Sequence, residues 1–288
     1  MAISTSIKNS LNKFLKKFNI KIDTYTAQTF EENRIEQLNS KGFFDKEFYD
    51  ISDLLQNYNP LPLLNSLKNY NVRFETFLDT KKNDVNYSYN NDYYSSPDTE
   101  ILYAIIRNYK PKKIIEIGCG NSTKISRQAI IDGKLDTKLI SIDPYPRIDI
   151  AGYSDVIYQN TLEDFYFDKK EMLFDLKEND IFFIDSSHQI KIGNDVTFLY
   201  NLIVPKLPKG LMIHIHDIYL PYEYPLNIVK TGWQFLEQYL LHTILLNSSK
   251  FELLWAGYYS FKNINNFNKY FPNYKGPKPP LSFWIEIK

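Results

Sequence analysis

Four side chains at two places in the sequence could do proton or metal chemistry. They lie in Asp185-Ser186-Ser187-His188 and in His214-Ile215-His216-Asp217, which between them hold three of the chain's four histidines. An imidazole titrates near working pH, so a histidine beside a reacting hydroxyl can take its proton. His188 is the first candidate for that base, His216 the second, and Asp185 completes the candidate catalytic group. Carboxylates with histidine also suit a divalent ion such as Mg²⁺ or Mn²⁺. Asp185, His216 and Asp217, with His188 alongside, are the candidate ligands, although nothing in the spacing demands a metal. His214 falls inside a short apolar run and reads as structural.

A second signal lies upstream, in Glu116-Ile117-Gly118-Cys119-Gly120-Asn121-Ser122-Thr123. Glycines at such a turn let the backbone bend sharply and let a ligand approach the main chain. The turn follows the short apolar run Lys113 to Ile117, opens a helical stretch to about Ile131, and is followed by a second run, Leu139 to Ile142, closing on Asp143. An acidic group there can accept hydrogen bonds from both hydroxyls of a ribose. Thr123 stands where a dinucleotide fingerprint has its third glycine, which argues against a pyrophosphate cofactor such as NAD. From the residues alone, this is a nucleoside-binding α/β unit.

The elements that must position these groups alternate. A helix is expected from Asp98 to Asn108, ended by Pro111, and Gly133 is expected to supply the left-handed residue closing the next helix. Asp155 to Tyr158 reads as a third strand, Asp180 to Ile184 as a fourth and Leu211 to His216 as a fifth, with a helix from Gly193 to Ile203 between the last two. Their apolar runs lack strict alternation, as in strands buried on both faces. A long helix from Trp233 to Leu246 precedes two closing strands, Phe251 to Phe261 and Leu281 to Ile287. In an open sheet of this kind ligands gather beyond the carboxyl ends of the strands, which is where Asp143, Asp185, His188 and His216 fall.

Residues 1–90 read as a mostly helical extension with no recognisable chemistry, and residues 91–288 as the α/β domain. Ile7, Leu11, Phe14, Leu15 and Phe18 form a helical stripe, with Lys8, Lys13, Lys16 and Lys17 largely off it. A basic amphipathic helix can lie on an anionic membrane or dock on its own domain or a partner. Its modest length makes docking the expected outcome.

Bulk composition narrows the classes further. Lys plus Arg and Asp plus Glu each number 34, so no net charge draws the chain to nucleic acid. The 23 Tyr and 20 Phe accompany many Asn, Lys and Ile, and read as core and surface filler rather than a stacking platform. A single cysteine, Cys119, excludes an internal disulfide or a cysteine-rich zinc site. No apolar run is long enough for a membrane span and no secretory signal is evident, so a cytoplasmic protein is expected.

With these residues in view, the sequence resembles the class I S-adenosylmethionine (SAM)-dependent methyltransferases found with polysaccharide and glycan biosynthesis proteins. The stretches that carry the resemblance are Ile114 to Thr123, Ile142 to Pro146, Phe183 to His188, His214 to Ile218 with Leu220 to Pro225, and Glu237 to Leu241. The resemblance implies a Rossmann-like, doubly wound seven-stranded sheet whose last strand is antiparallel. It also implies SAM lying over Gly118 and Gly120, with its ribose on Asp143 and its adenine near Thr161 and Leu162. Glu116 would sit near the methionine ammonium, and Asn121, Ser122, Thr123 and Asp185 would complete the cofactor set. The expected reaction is O-methylation of a hydroxyl on a sugar or other small polar acceptor. The alternative is a non-catalytic protein of the same fold that binds a glycan or a partner enzyme.

Overall fold

The computed structural model describes residues 5–22, 25–232, 235–246, 248–276 and 278–288. Among them, seven strands form one sheet in the order β3-β2-β1-β4-β5-β7-β6. These are β1 (Lys113–Ile117), β2 (Lys138–Ile142), β3 (Val156–Tyr158), β4 (Ile181–Ile184), β5 (Met212–Ile215), β6 (Phe251–Ala256) and β7 (Phe283–Ile287). The first five pair in parallel, and β7 runs antiparallel to both β5 and β6. The chain leaves β1 towards β2 and β3 on one side, then returns to place β4 on the other. The crevice at the carboxyl ends of β1 and β4 is therefore the switch point where ligands collect.

Both faces of the sheet are covered, which explains the unbroken apolar runs. Ile115, Ile117, Phe182, Ile184, Ile213 and Ile215 face one core, while Ile114, Ile181, Phe183 and Met212 face the other. Side chains from residues 1–90 contribute to both cores. Ile51 and Leu54 join the first core, and Leu64, Leu67, Phe74, Phe77, Val85 and Tyr87 join the second.

Several boundaries differ from expectation for identifiable reasons. The strand expected to run from Phe251 to Phe261 stops at Ala256 and continues as the helix Gly257–Asn263. There the main chain presses under the segment before β7: Gly257 N–H donates to Ser282 O, and a Cβ on Gly257 would lie 2.9 Å from that oxygen. β7 itself begins at Phe283 because the N–H groups of Leu281 and Ser282 donate to the Asp98 carboxylate. The helix expected from Gly193 starts at Asp195, capped by the Asn194 side chain, and becomes a π-turn over Leu199–Ile203. Lys134, not Gly133, takes the left-handed conformation after the helix Asn121–Gly133. Gly133 is instead needed for space, since a Cβ there would meet the Leu135 side chain at 2.7 Å. The last long helix spans Glu237–Leu245; of its expected start, Trp233 lies outside the described residues.

Candidate active site

Backbone pairing continues past the strand ends and sets out the site. Asp143 N–H donates to Tyr158 O, Gly118 N–H to Ile142 O, Asp185 N–H to Ile117 O and His216 N–H to Ile184 O. The residues that follow β1, β2, β4 and β5 are thus aligned along one edge of the sheet.

The glycine turn is held by an interior lock. Glu116 is buried, and its carboxylate accepts hydrogen bonds from Ser122 Oγ at 2.6 Å, Thr123 Oγ1 at 2.6 Å and Ser141 Oγ at 3.2 Å. Thr123 Oγ1 also accepts from Gly120 N–H at 3.0 Å. Burial lifts the Glu116 carboxyl to about 7 against the pull of these hydroxyls. Glu116, Ser122 and Thr123, all expected to touch the cofactor, therefore turn their polar atoms on one another beneath the loop. This lock also accounts for Thr123 in place of a third glycine.

Above the lock, Gly118 has φ +78, and a Cβ on it would lie 1.8 Å from the Asp185 carbonyl oxygen. Only glycine lets the turn pass this close to the end of β4. Around Gly120 the situation is opposite, because a Cβ there would meet nothing within 4 Å. Asp143, half-buried beside that space, accepts from Cys119 N–H at 3.0 Å through Oδ2 and from Tyr145 N–H at 2.8 Å through Oδ1. Oδ2 also accepts from Cys119 Sγ at 3.5 Å; with about two acceptor positions per carboxylate oxygen, Oδ1 retains one for a ribose hydroxyl. Open room over Gly120 beside a polar, fixed carboxylate fits a nucleoside. Asn121 opens the adjoining helix. The adenine expectation fits less directly. Leu162 is buried in the core, and the Thr161 hydroxyl caps its own helix by accepting from Asp164 N–H.

Next to the turn lies a dense cluster of charge. His188 pairs through Nδ1 with Glu237 Oε1, and its Nε2 is 3.3 Å from both Asp185 Oδ1 and Asp217 Oδ2. His216 Nδ1 is 3.5 Å from Asp217 Oδ1 and 3.8 Å from Asp185 Oδ1, while its Nε2 is 3.4 Å from Asp98 Oδ2. Burial disfavours charge on both imidazoles, but the surrounding carboxylates prevail. Glu237, Asp185 and Asp217 hold His188 well above its ordinary range, and Asp185, Asp217 and Asp98 bring His216 to about 9. For Asp185 burial is likewise outweighed, by His216 and then His188, and its carboxyl lies well below the usual range. Burial raises Glu237, with His188 opposing. Four carboxyl groups thus face two imidazoles here.

One ligand atom from each of Asp185, His216 and Asp217 can be chosen so that all lie within 4.8 Å of one another. Two carboxylates and an imidazole form a donor set that fits a Mg²⁺- or Mn²⁺-like ion. His214 stacks on Phe183 with ring centroids 3.8 Å apart, and burial drives it well below its ordinary range. It stays with the core, as expected.

Asp98 and Glu237 carry no assigned role in the sequence analysis, yet both face the candidate histidines. Asp98 begins the helix Asp98–Tyr109 and also accepts from Ser282 Oγ at 2.5 Å, so it ties that helix to β7. Glu237 lies within one of the resemblance-bearing stretches, and that was the available signal. Asp98 had none beyond its place at a helix start.

Residues 115–218 match a family described as a methyltransferase domain. No curated protein matches the chain. Among solved structures it is similar to the O-methyltransferase TomG from Streptomyces achromogenes, determined with SAM, at 14% identity over 67% of this chain and 81% of that one, with a TM-score of 0.40. It is also similar to the methyltransferase PaMTH1 from Podospora anserina, bound to S-adenosylhomocysteine (SAH), at 17% identity over 82% and 93%, with a TM-score of 0.42. A Bacillus cereus O-methyltransferase in complex with SAH aligns at 12% identity over 82% and 94%, with a TM-score of 0.43. The segment that matches this methyltransferase domain family runs from β1 to just past β5, and so takes in the glycine turn and the ends of β2, β4 and β5 that line the crevice.

Proposed function

We propose that this protein is a cytoplasmic O-methyltransferase that moves the methyl group of SAM to a hydroxyl of a sugar or other small polar acceptor. The observation that carries this reading is the contact of the Gly118 turn with Asp185, which joins the nucleoside end of the crevice to the carboxylate–histidine cluster. SAM would lie over Gly118 and Gly120 with its ribose on Asp143, and its activated methyl would face an acceptor held at the cluster. Positioning and removal of the hydroxyl proton then account for most of the catalysis. His188 is the proposed base. Glu237 fixes its Nδ1, which leaves Nε2 facing the space between Asp185 and Asp217. Asp185, His216 and Asp217 would hold a divalent ion. Bound there, the ion supplies positive charge that polarises the acceptor oxygen and offsets the carboxylates' hold on His188.

Methyl transfer is tested by following SAH formation from SAM with a panel of sugars and other small hydroxyl compounds, with added Mg²⁺ or Mn²⁺ and with EDTA. We expect turnover with at least one acceptor, lost in EDTA and restored by metal. Asp217→Asn is expected to weaken Mg²⁺ binding, read by calorimetry, by at least about tenfold, since it replaces a charged oxygen ligand by a neutral one. Turnover indifferent to EDTA would remove the ion from the mechanism, and SAM binding without transfer to any acceptor would favour the non-catalytic alternative.

A further inference from the structure

We propose that the N-terminal segment docks this protein on an anionic lipid surface, with the helix Thr5–Leu15 lying in the interface plane. The periodicity of residues 7–18 left three destinations for the apolar stripe: the protein's own domain, a partner or a membrane. The structure removes the first, because none of residues 6–22 is buried. Leu11 is 37% exposed, Phe14 59% and Phe18 62%, and Ile20 and Ile22 are exposed beside them.

This face is shaped rather than frayed. After the short 3₁₀ turn Lys16–Phe18, Asn19 adopts φ +55. Ile20 N–H donates to Leu15 O and Asn19 N–H to Lys16 O, the hydrogen bonds of a Schellman stop. Asn12 then clamps the returning chain, its side chain donating to Ile22 O at 2.7 Å and accepting from Ile22 N–H at 2.6 Å. Ordering entropy that a flexible tail would lose on binding is thereby already lost.

Charge selects the occupant. Residues 1–22 contain five lysines and no acidic residue, although the whole chain balances 34 basic against 34 acidic side chains. The remainder of the chain therefore carries an acidic excess, and an anionic surface attracts the segment while repelling the rest. Lys13, Lys16 and Lys17 lie off the apolar stripe, where an interfacial helix keeps its cations among the headgroups. No helix among the described residues is long and apolar enough to cross a membrane, so the contact is peripheral.

The test is flotation of the full-length protein with vesicles of phosphatidylcholine alone and of phosphatidylcholine mixed equally with phosphatidylglycerol. We expect binding to the mixed vesicles at low salt, release at high salt and little binding to phosphatidylcholine. Phe14→Ser combined with Phe18→Ser should lower partitioning by roughly tenfold or more. Replacing Lys13, Lys16 and Lys17 by Gln should lower it by roughly a hundredfold. Both sets should leave thermal melting unchanged, since these side chains are exposed. Equal binding to both vesicle types, or none, would overturn the proposal. So would a dimer seen by light scattering that Phe14→Ser and Phe18→Ser dissociate, because the face would then belong to a second copy.

Discussion

His188→Ala is expected to lower turnover by about a hundredfold to ten-thousandfold, the range for loss of a positioned general base. SAM affinity should stay within about twofold, because the proposed ribose position is on Asp143, whereas the imidazole pairs with Glu237, Asp185 and Asp217. Steady-state kinetics at saturating SAM, paired with calorimetry, separate the two effects. His188 has φ +59, a region Asn tolerates better than Ala, so His188→Asn serves as the companion variant that guards against a folding artefact. The role assigned to Glu237 predicts that Glu237→Gln also slows turnover, by a smaller factor, since it loosens the ring without removing it. Unchanged turnover in both His188 variants would take His188 out of the chemistry.

Gly118→Ala should produce the largest structural effect of any single methyl group added in this site. A left-handed backbone costs a non-glycine residue about 1–2 kcal/mol, and forcing atoms into packed space typically adds about 1–3 kcal/mol. The new Cβ would need to displace the Asp185 carbonyl, from which it would stand 1.8 Å. The sum, roughly 2–5 kcal/mol, should lower the melting temperature by about 5–15 °C for a chain of this size. Because the atom displaced belongs to the backbone of Asp185, turnover should fall even in the fraction that folds. Gly120→Ala is the informative contrast. Its Cβ would meet no protein atom within 4 Å, so its stability loss should be smaller, while SAM affinity should fall because the methyl would occupy the space proposed for the cofactor. A Gly118→Ala protein that melts like the parent would show that the turn and β4 are not packed as described.

The sheet was legible in the sequence because its signals are local. Apolar runs of strand length, each ending in a polar group, marked β1, β2, β4 and β5, and their carboxyl ends came together as the switch-point rule requires. What was not legible depended on contacts distant in sequence. The end of β6 is set by Gly257 against Ser282, and the start of β7 by Asp98 against Leu281 and Ser282. Neither pairing leaves a periodic trace. The same limit applies inside the site. The resemblance puts Glu116 near the methionine ammonium, but its position within β1 turns it towards Ser141 and under the loop, where its partners are Ser122 and Thr123. Glu237 and Asp98 approach the histidines from helices far away in the chain, and a carboxylate at a helix start reads as ordinary capping until the fold brings it inward. For the N-terminal stripe, periodicity describes the face but not whether it packs on the rest of the chain, which is a question of burial.

The most direct test of the account is calorimetric titration of the purified protein with SAM and with SAH, alongside Asp143→Ala. Micromolar binding of both ligands to the parent protein is expected. A loss of about tenfold to a hundredfold should follow in the variant, the size expected when hydrogen bonds to a charged acceptor are removed. Absence of binding to the parent protein, with or without Mg²⁺, would contradict the methyltransferase reading itself.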